Sequence, residues 1–566
     1  MGGFFDPLIS SVLCSARQRT AFVEIPTVLI VHRTKQANMA TSDKYDRQLR
    51  LWGASGQQKL MSTKLLLFNA GPTGSEILKN LVLPGVGSFE ICDEHTVCEA
   101  DLGNNFFVSA DDMHEPRCQS VMKWMLEMNP DVRGSFRIDS PEKVIDTDID
   151  YIKNFSLVVA TQVVEPYLSK LAAYCQSKSI PLLILHTFGL FGYFRVQVPE
   201  HTIINSKPDA PWHDLRIAQP FPELDDFASS FDLATLDSHE HAHVPYVTIL
   251  IQSIREWKNS HQGQLPSTFA MKEEFKKLVK SKCFGQFGQE LNFSEAIDNS
   301  FKAYTLPADI IPHEVREVLQ RAAGKSLTPT TEPFWFMARS LSDFLSAHKC
   351  LPLNGHVPDM TAFTHSYVAL QNIYMQKALR DCDEVFANVS TLLESAGCSP
   401  TMIARENVAE FCKHSSSIRI LETRALTDEF QSVNFSELDM EEENPKQSPL
   451  IWYFLIRAVY RFIEEFGKYP GIDDEYEKEA QWLVANARAI VAHGDTNAEK
   501  LPAEWITQDH ANEICRHCEA ELHNISAILG GVGSQEAVKI ITRQFMPINH
   551  TYVFNGITGC AATYNL

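Results

Sequence analysis

The chain has 566 residues, room for about four domains at roughly 150 residues each. Hydrophobic residues are 44% and aromatics 10%, which excludes a wholly disordered chain, and 26 Gly with 28 Pro excludes a collagen-like one. Lys and Arg number 50 against 71 Asp and Glu, a net charge of −21, which argues against broad binding to nucleic acid or an anionic membrane.

Residues 1–38 differ from the rest. Arg17, Arg19, Arg33 and Lys35 face only Asp6 and Glu24 as acidic residues. The apolar stretch Val28–Val31 lies too far in for an ordinary signal peptide. Met39 opens a more ordinary start, MATSDKYDRQ, so 1–38 is expected to be an extension without fixed structure. No run approaches the ~18 apolar residues of a membrane span. The 13 Cys are scattered, as expected of reduced thiols in the cytoplasm; the nucleus is a second expected compartment.

Residues 64–200 predict an α/β unit. KLLLFNAG (64–71) is a short apolar run ending in Gly, as a buried parallel strand would. A helix follows with Ile77, Leu78, Leu81 and Val82 on one face, stopped by Pro84-Gly85. SFEICDE (88–94), FSLVVAT (155–161) and IPLLILH (180–186) predict three more strands. Strands alternating with helices imply a doubly wound, Rossmann-like, mostly parallel sheet. Between 205 and 505 long helical stretches dominate, such as 367–397 and 451–467, with an acidic link at 436–445. After 520 the α/β character returns: a helix over 523–545 carries Gly530, Gly531 and Gly533, and 551–556 with 560–566 predict a hairpin. The expected organisation is 1–38 extension, 39–204 first part of one α/β domain, 205–505 helical insert, 506–566 its last part.

The strand–turn–helix at 65–83 carries Asn69-Ala70-Gly71-Pro72-Thr73-Gly74, a GxGxxG pattern with Asn69 for its first Gly. Such turns bring backbone N–H groups at a helix N-terminus up to phosphate. Asp93, about 20 residues on, is placed to bond a ribose hydroxyl. Alone the pattern fits equally a tight turn kept for packing, with Asp93 capping local structure.

YDRQLRLWG (45–53), NAGPTGSEILKNLVLPGVGSFEICDE (69–94) and ADLGNNFF (100–107) together resemble the adenylating domain, of ThiF/MoeB type, of the ubiquitin-activating enzyme family. Active members bind ATP at the glycine turn, adenylate the C-terminal glycine of a ubiquitin-like protein and pass it to a Cys. Against that pattern, the phosphate-contacting Arg and Gln fall at Asn104 and Asn105. The phosphate-neutralising Lys falls at Arg117, and the Mg²⁺-holding Asp at Gln162. Gly71, Gly74 and Asp93 are retained. The resemblance therefore implies a degenerate nucleotide site with no adenylation of its own, because that chemistry depends on preorganised cations. No segment resembles the family's catalytic cysteine loop. In Tyr45-Asp46-Arg47-Gln48, Arg47 matches an Arg that reaches the nucleotide phosphates of the other half of a paired enzyme; a surface ion pair is the alternative.

A half without its own chemistry implies a partner. The family has two heterodimeric arrangements with a non-catalytic subunit; the long insert here, with FWFMARSL (334–341), LPLNGHVPDM (351–360) and DLRIAQPFPEL (214–224), resembles one of them, while the SUMO-activating version is much shorter. The insert then resembles half of a catalytic-cysteine domain without the cysteine. Phe334, Trp335, Pro358, Asp359 and Met360 are candidate partner contacts, or ordinary insert core. Implied partners are a catalytic subunit carrying ATP, Mg²⁺, zinc and the thioester Cys, the ubiquitin-like modifier, and a conjugating enzyme. No cofactor is expected in this chain. Rival readings are a docking scaffold with no direct part in activation, a regulatory subunit for another ubiquitin-like modifier such as SUMO, and an autonomous NAD-dependent enzyme; the missing first Gly and the lack of a recognisable catalytic pair count against the last. Cys515-x-x-Cys518 with His510 and His517, and His239, His241 and His243 if extended, are minor metal candidates.

Overall fold

The computed structural model describes residues 43–209, 213–285, 287–435, 448–473, 475–493 and 503–566; the extension 1–38 and the acidic link 436–445 lie outside the described residues. The chain divides into a unit ending at Arg47 and a second from Gln48 to Leu566. The described part of the first is one 3-10 turn, Asp43–Tyr45, and the opening residues of helix α1 (Asp46–Ser62).

In the second unit β1 (Lys64–Phe68), β2 (Ser88–Cys92), β3 (Arg133–Arg137), β4 (Leu157–Thr161) and β5 (Leu182–Phe188) are parallel to one another. β6 (Phe191–Gln197) runs antiparallel, and β7 (His201–Ile203) pairs with β8 (Arg419–Leu421) in a separate two-stranded sheet. β9 (Thr551–Asn555) and β10 (Cys560–Tyr564) form the C-terminal hairpin, and β9 joins β6. The main sheet has the order β10-β9-β6-β5-β4-β1-β2-β3. Its parallel part is the doubly wound, Rossmann-like arrangement expected from the sequence. Every residue of β4 and β5 is buried, as strands covered on both faces require.

The pleat divides the core in two. Leu65 and Leu67 face helices α2 (Pro72–Val82) and, from the far end of the chain, His523–Thr542. Leu66 and Phe68 belong to the opposite face, with Leu168 and Leu171 of Glu165–Lys178. That face is also covered by Leu450–Phe466, where Trp452 stacks on Phe191 with ring centroids 3.4 Å apart. The sequence pattern places this helix, and Tyr476–Ala492 beside it, with the insert; both pack in the same core as the sheet. The reason is composition: from Leu450 to Tyr460 every side chain is apolar, aromatic or paired and every one is buried, so the helix needs an interior on all sides.

The helical part between β7 and β8 holds two further cores. Its 32-residue helix Thr364–Ser395 spans them, with Leu370 and Tyr374 in one and Val385, Val389 and Leu393 in the other. The alternating histidines are not in a strand. Asp237 caps a short helix, Ser238–His241, through 2.8 Å bonds to the N–H groups of His239 and Glu240. His241 is buried against Glu290 at 2.6 Å, while His239 and His243 stack edge to face.

Candidate functional site

The glycine turn survives without its first glycine. Asn69 has φ +65°, a left-handed conformation that Asn tolerates better than most residues. Its Nδ2 donates to the carbonyl of Thr161 at 2.8 Å, and its own carbonyl accepts from Thr161 Oγ1 at 2.9 Å. Gly74 is required by contact: a Cβ there would lie 2.1 Å from the Asn69 carbonyl oxygen. Pro72 opens α2, where a missing N–H costs the helix nothing.

Asp93, at the end of β2, is fully buried and fully engaged. It accepts from the backbone of Ala70 at 2.9 Å and of His95 at 3.0 Å, from His95 Nδ1 at 2.7 Å and from Arg117 Nε at 2.8 Å. Burial alone would raise its pKa; the Arg117 charge and the His95 hydrogen bond outweigh that and hold the carboxyl well below the usual range. The same hydrogen bond raises the His95 pKa against burial. Arg117 opens the helix Arg117–Met128 and also reaches Asp101 at 3.2 Å. The carboxylate and the cation that the resemblance assigns to ribose and phosphate therefore hold each other.

The remaining positions also point inward. Asn104 Nδ2 donates to the carbonyl of Glu521 at 3.0 Å, and Asn105 Nδ2 to that of Ala70 at 3.0 Å. Gln162 (φ +53°) donates to the Thr187 carbonyl at 2.7 Å and accepts its N–H at 3.2 Å. Sequence reasoning missed the residue that sits on the turn itself, Glu521. Its Oε2 accepts from Thr73 N at 3.2 Å, from Thr73 Oγ1 at 2.5 Å and from Thr187 Oγ1 at 3.3 Å. A Cβ on Gly71 would lie 2.6 Å from its Oε1. These residues do not fit a nucleoside triphosphate with Mg²⁺: a carboxyl group already sits on the helix N-terminus, the nearby guanidinium is paired, and an amide stands where the metal carboxylate would be.

The other expected residues are dispersed. Arg47 is exposed, with no side-chain hydrogen bond or ion pair among the described residues. Phe334 and Trp335 are 1% exposed, in the core of the chain itself, and Trp335 Nε1 donates to Glu200 at 2.8 Å. As partner contacts they are therefore corrected: the pattern that suggested an interface is core, and only Asp359, exposed, with the partly exposed Pro358 and Met360, offers surface. Cys515 is buried, its thiol pushed up to about 12 by burial, and His510 Nδ1 accepts the Thr507 N–H at 3.1 Å. Gly530 and Gly533 serve packing: a Cβ at either would come within 3.0 Å of α2 residues Glu76 or Ile77.

The family model described as ThiF matches residues 45–560. The NEDD8-activating enzyme E1 regulatory subunit of Danio rerio is 36% identical over 532 residues, covering 92% of this chain and 98% of that one. That of Gallus gallus is 37% identical over 536 residues, with 92% and 98% covered. The Arabidopsis thaliana regulatory subunit AXR1 is 37% identical over 519 residues, with 91% and 94% covered. With near full-length similarity on both sides, and a glycine turn whose polar groups are spent internally, the chain belongs to the ThiF family and, within it, to the NEDD8-activating enzyme E1 regulatory subunits.

Proposed function

We propose that the chain is the non-catalytic half of a heterodimeric enzyme that activates the ubiquitin-like modifier NEDD8, and that it performs no adenylation alone. The observation that carries this reading is the mutual pairing of Asp93 and Arg117 at 2.8 Å, which removes from use both groups a nucleotide would need. ATP, Mg²⁺, zinc and the thioester cysteine then reside in the catalytic subunit. This chain supplies Arg47, whose planar guanidinium suits phosphate oxygens across a subunit boundary. The helical insert frames the cleft in which the modifier sits, and the activated modifier passes to a conjugating enzyme. In this reading the complex works in the cytoplasm, with the nucleus as a second compartment.

Reconstitution tests this. Catalytic subunit, modifier and ATP are mixed with and without the chain, and modifier thioester is followed on non-reducing gels. The expected result is thioester formation that depends on the chain and co-elution of the two subunits. Equal thioester yield without it would reduce the chain to a docking scaffold.

A further inference from the structure

We propose that Glu521 is the residue that closes the glycine turn to nucleotides: its carboxylate occupies the place of a phosphate group at the N-terminus of α2, so that ATP is left to the partner subunit. The inference deepens the proposed function and rests on it.

Three observations support it. The first is position. A helix N-terminus presents unpaired N–H groups and partial positive charge, and a carboxylate satisfies both as a phosphate would. Glu521 takes the Thr73 N–H and hydroxyl, and the absence of a side chain on Gly71 gives its Oε1 room against the backbone. The second is that its segment is fixed from both sides. The Gly189 N–H donates to the Ala520 carbonyl at 2.8 Å, Asn104 Nδ2 holds the Glu521 carbonyl, and Phe106 lies against the His523 ring at 3.8 Å. Asn104, at the position of the family's phosphate Arg, thus binds the segment that carries Glu521 instead of a ligand. The third is charge. Asp93 and Asp101 already pair with Arg117, at 2.8 and 3.2 Å, so that cation is engaged before any polyphosphate arrives. Burial raises the Glu521 pKa, with Thr73 and Arg117 opposing, as expected of a carboxylate enclosed at the turn.

The test uses the full chain and inorganic pyrophosphate as the probe, read by titration calorimetry and by the rise in thermal midpoint with pyrophosphate concentration. Glu521→Ala removes the occupant. It is expected to bind pyrophosphate at least about tenfold more tightly than the wild type, since freeing the Thr73 N–H and hydroxyl at a helix N-terminus for an anion changes binding by that order. Should the alanine variant not fold, Glu521→Ser leaves a short hydroxyl near Thr73 and carries the same expectation. Equal pyrophosphate affinity in wild type and variant, including none in either, overturns the proposal. The thioester assay with the wild-type chain reads the regulatory role separately, so the two can fail independently.

Discussion

Arg117 Nε donates to Asp93 Oδ2 at 2.8 Å, and the two side chains are 13% and 0% exposed. Removing one member of a buried pair leaves the other charge uncompensated. Arg117→Ala should therefore destabilise the chain by about 3–5 kcal/mol. Asp101→Asn, which removes the charge from the longer 3.2 Å contact and keeps one acceptor for the Cys98 N–H, should cost less. Denaturant midpoints of the two variants check the order; equal midpoints would mean the pair does not hold the turn.

Close contact at one glycine and open space at another predict opposite effects. Gly74→Ala places a Cβ 2.1 Å from a backbone oxygen and should cost about 3 kcal/mol or prevent folding. Gly103→Ala meets nothing within 4 Å in its helix. It should be neutral or stabilise by up to about 1 kcal/mol, through the backbone entropy of glycine. Thermal midpoints distinguish them.

Acid should weaken the fold well above the carboxylate range. His186, His201 and His550 are buried, and burial lowers each pKa from 6.5 to about 3. His550 Nε2 accepts the Arg424 N–H at 2.7 Å, which requires that nitrogen to be unprotonated. A base with a lowered folded pKa stays neutral in the fold and takes a proton on unfolding. Its stabilising effect is complete above pH 6.5 and is lost as pH falls from there toward 3. Each group contributes about 1.4 kcal/mol per pH unit within that window. Asp93 acts lower: its depressed pKa supports the fold above its ordinary 3.8, and that support is lost as pH falls further. Thermal midpoints between pH 7 and 5 should fall, and His550→Gln, which keeps an acceptor for Arg424, should shallow the decline.

Arg47→Ala should slow adenylate formation by the assembled enzyme tens-fold, on the order of 2 kcal/mol for one charge-assisted phosphate contact, with dimerisation nearly unchanged. Arg47→Lys should recover part of the rate, keeping the charge but losing the planar fork. Adenylation is measured at saturating partner, beside the dimer Kd. Normal adenylation with weakened assembly would return Arg47 to the scaffold.

What the sequence made legible was local. β1, β2, β4 and β5 are short apolar runs, and all four are strands. The Asn69–Gly74 turn and the position of Asp93 follow from residues within about one βαβ unit. β3 was missed because it is an edge strand, RGSFR, without a buried stripe. Residues 451–467 were legible as a helix, the structure's Leu450–Phe466, but its apolar faces say nothing about which core receives them. Glu521 was illegible altogether, because its bond to Thr73 joins residues 448 positions apart. Phe334 and Trp335 show the converse: aromatic density marks burial without telling core from interface.

The regulatory reading stands or falls most directly on ATP–pyrophosphate exchange by the isolated full chain in the presence of the modifier. With Asp93 and Arg117 paired and Glu521 on the turn, no exchange above background is expected, whereas the chain with its catalytic subunit should exchange readily. Robust exchange by the chain alone, abolished by substituting Gly71 or Asp93, would show a working nucleotide site and contradict it.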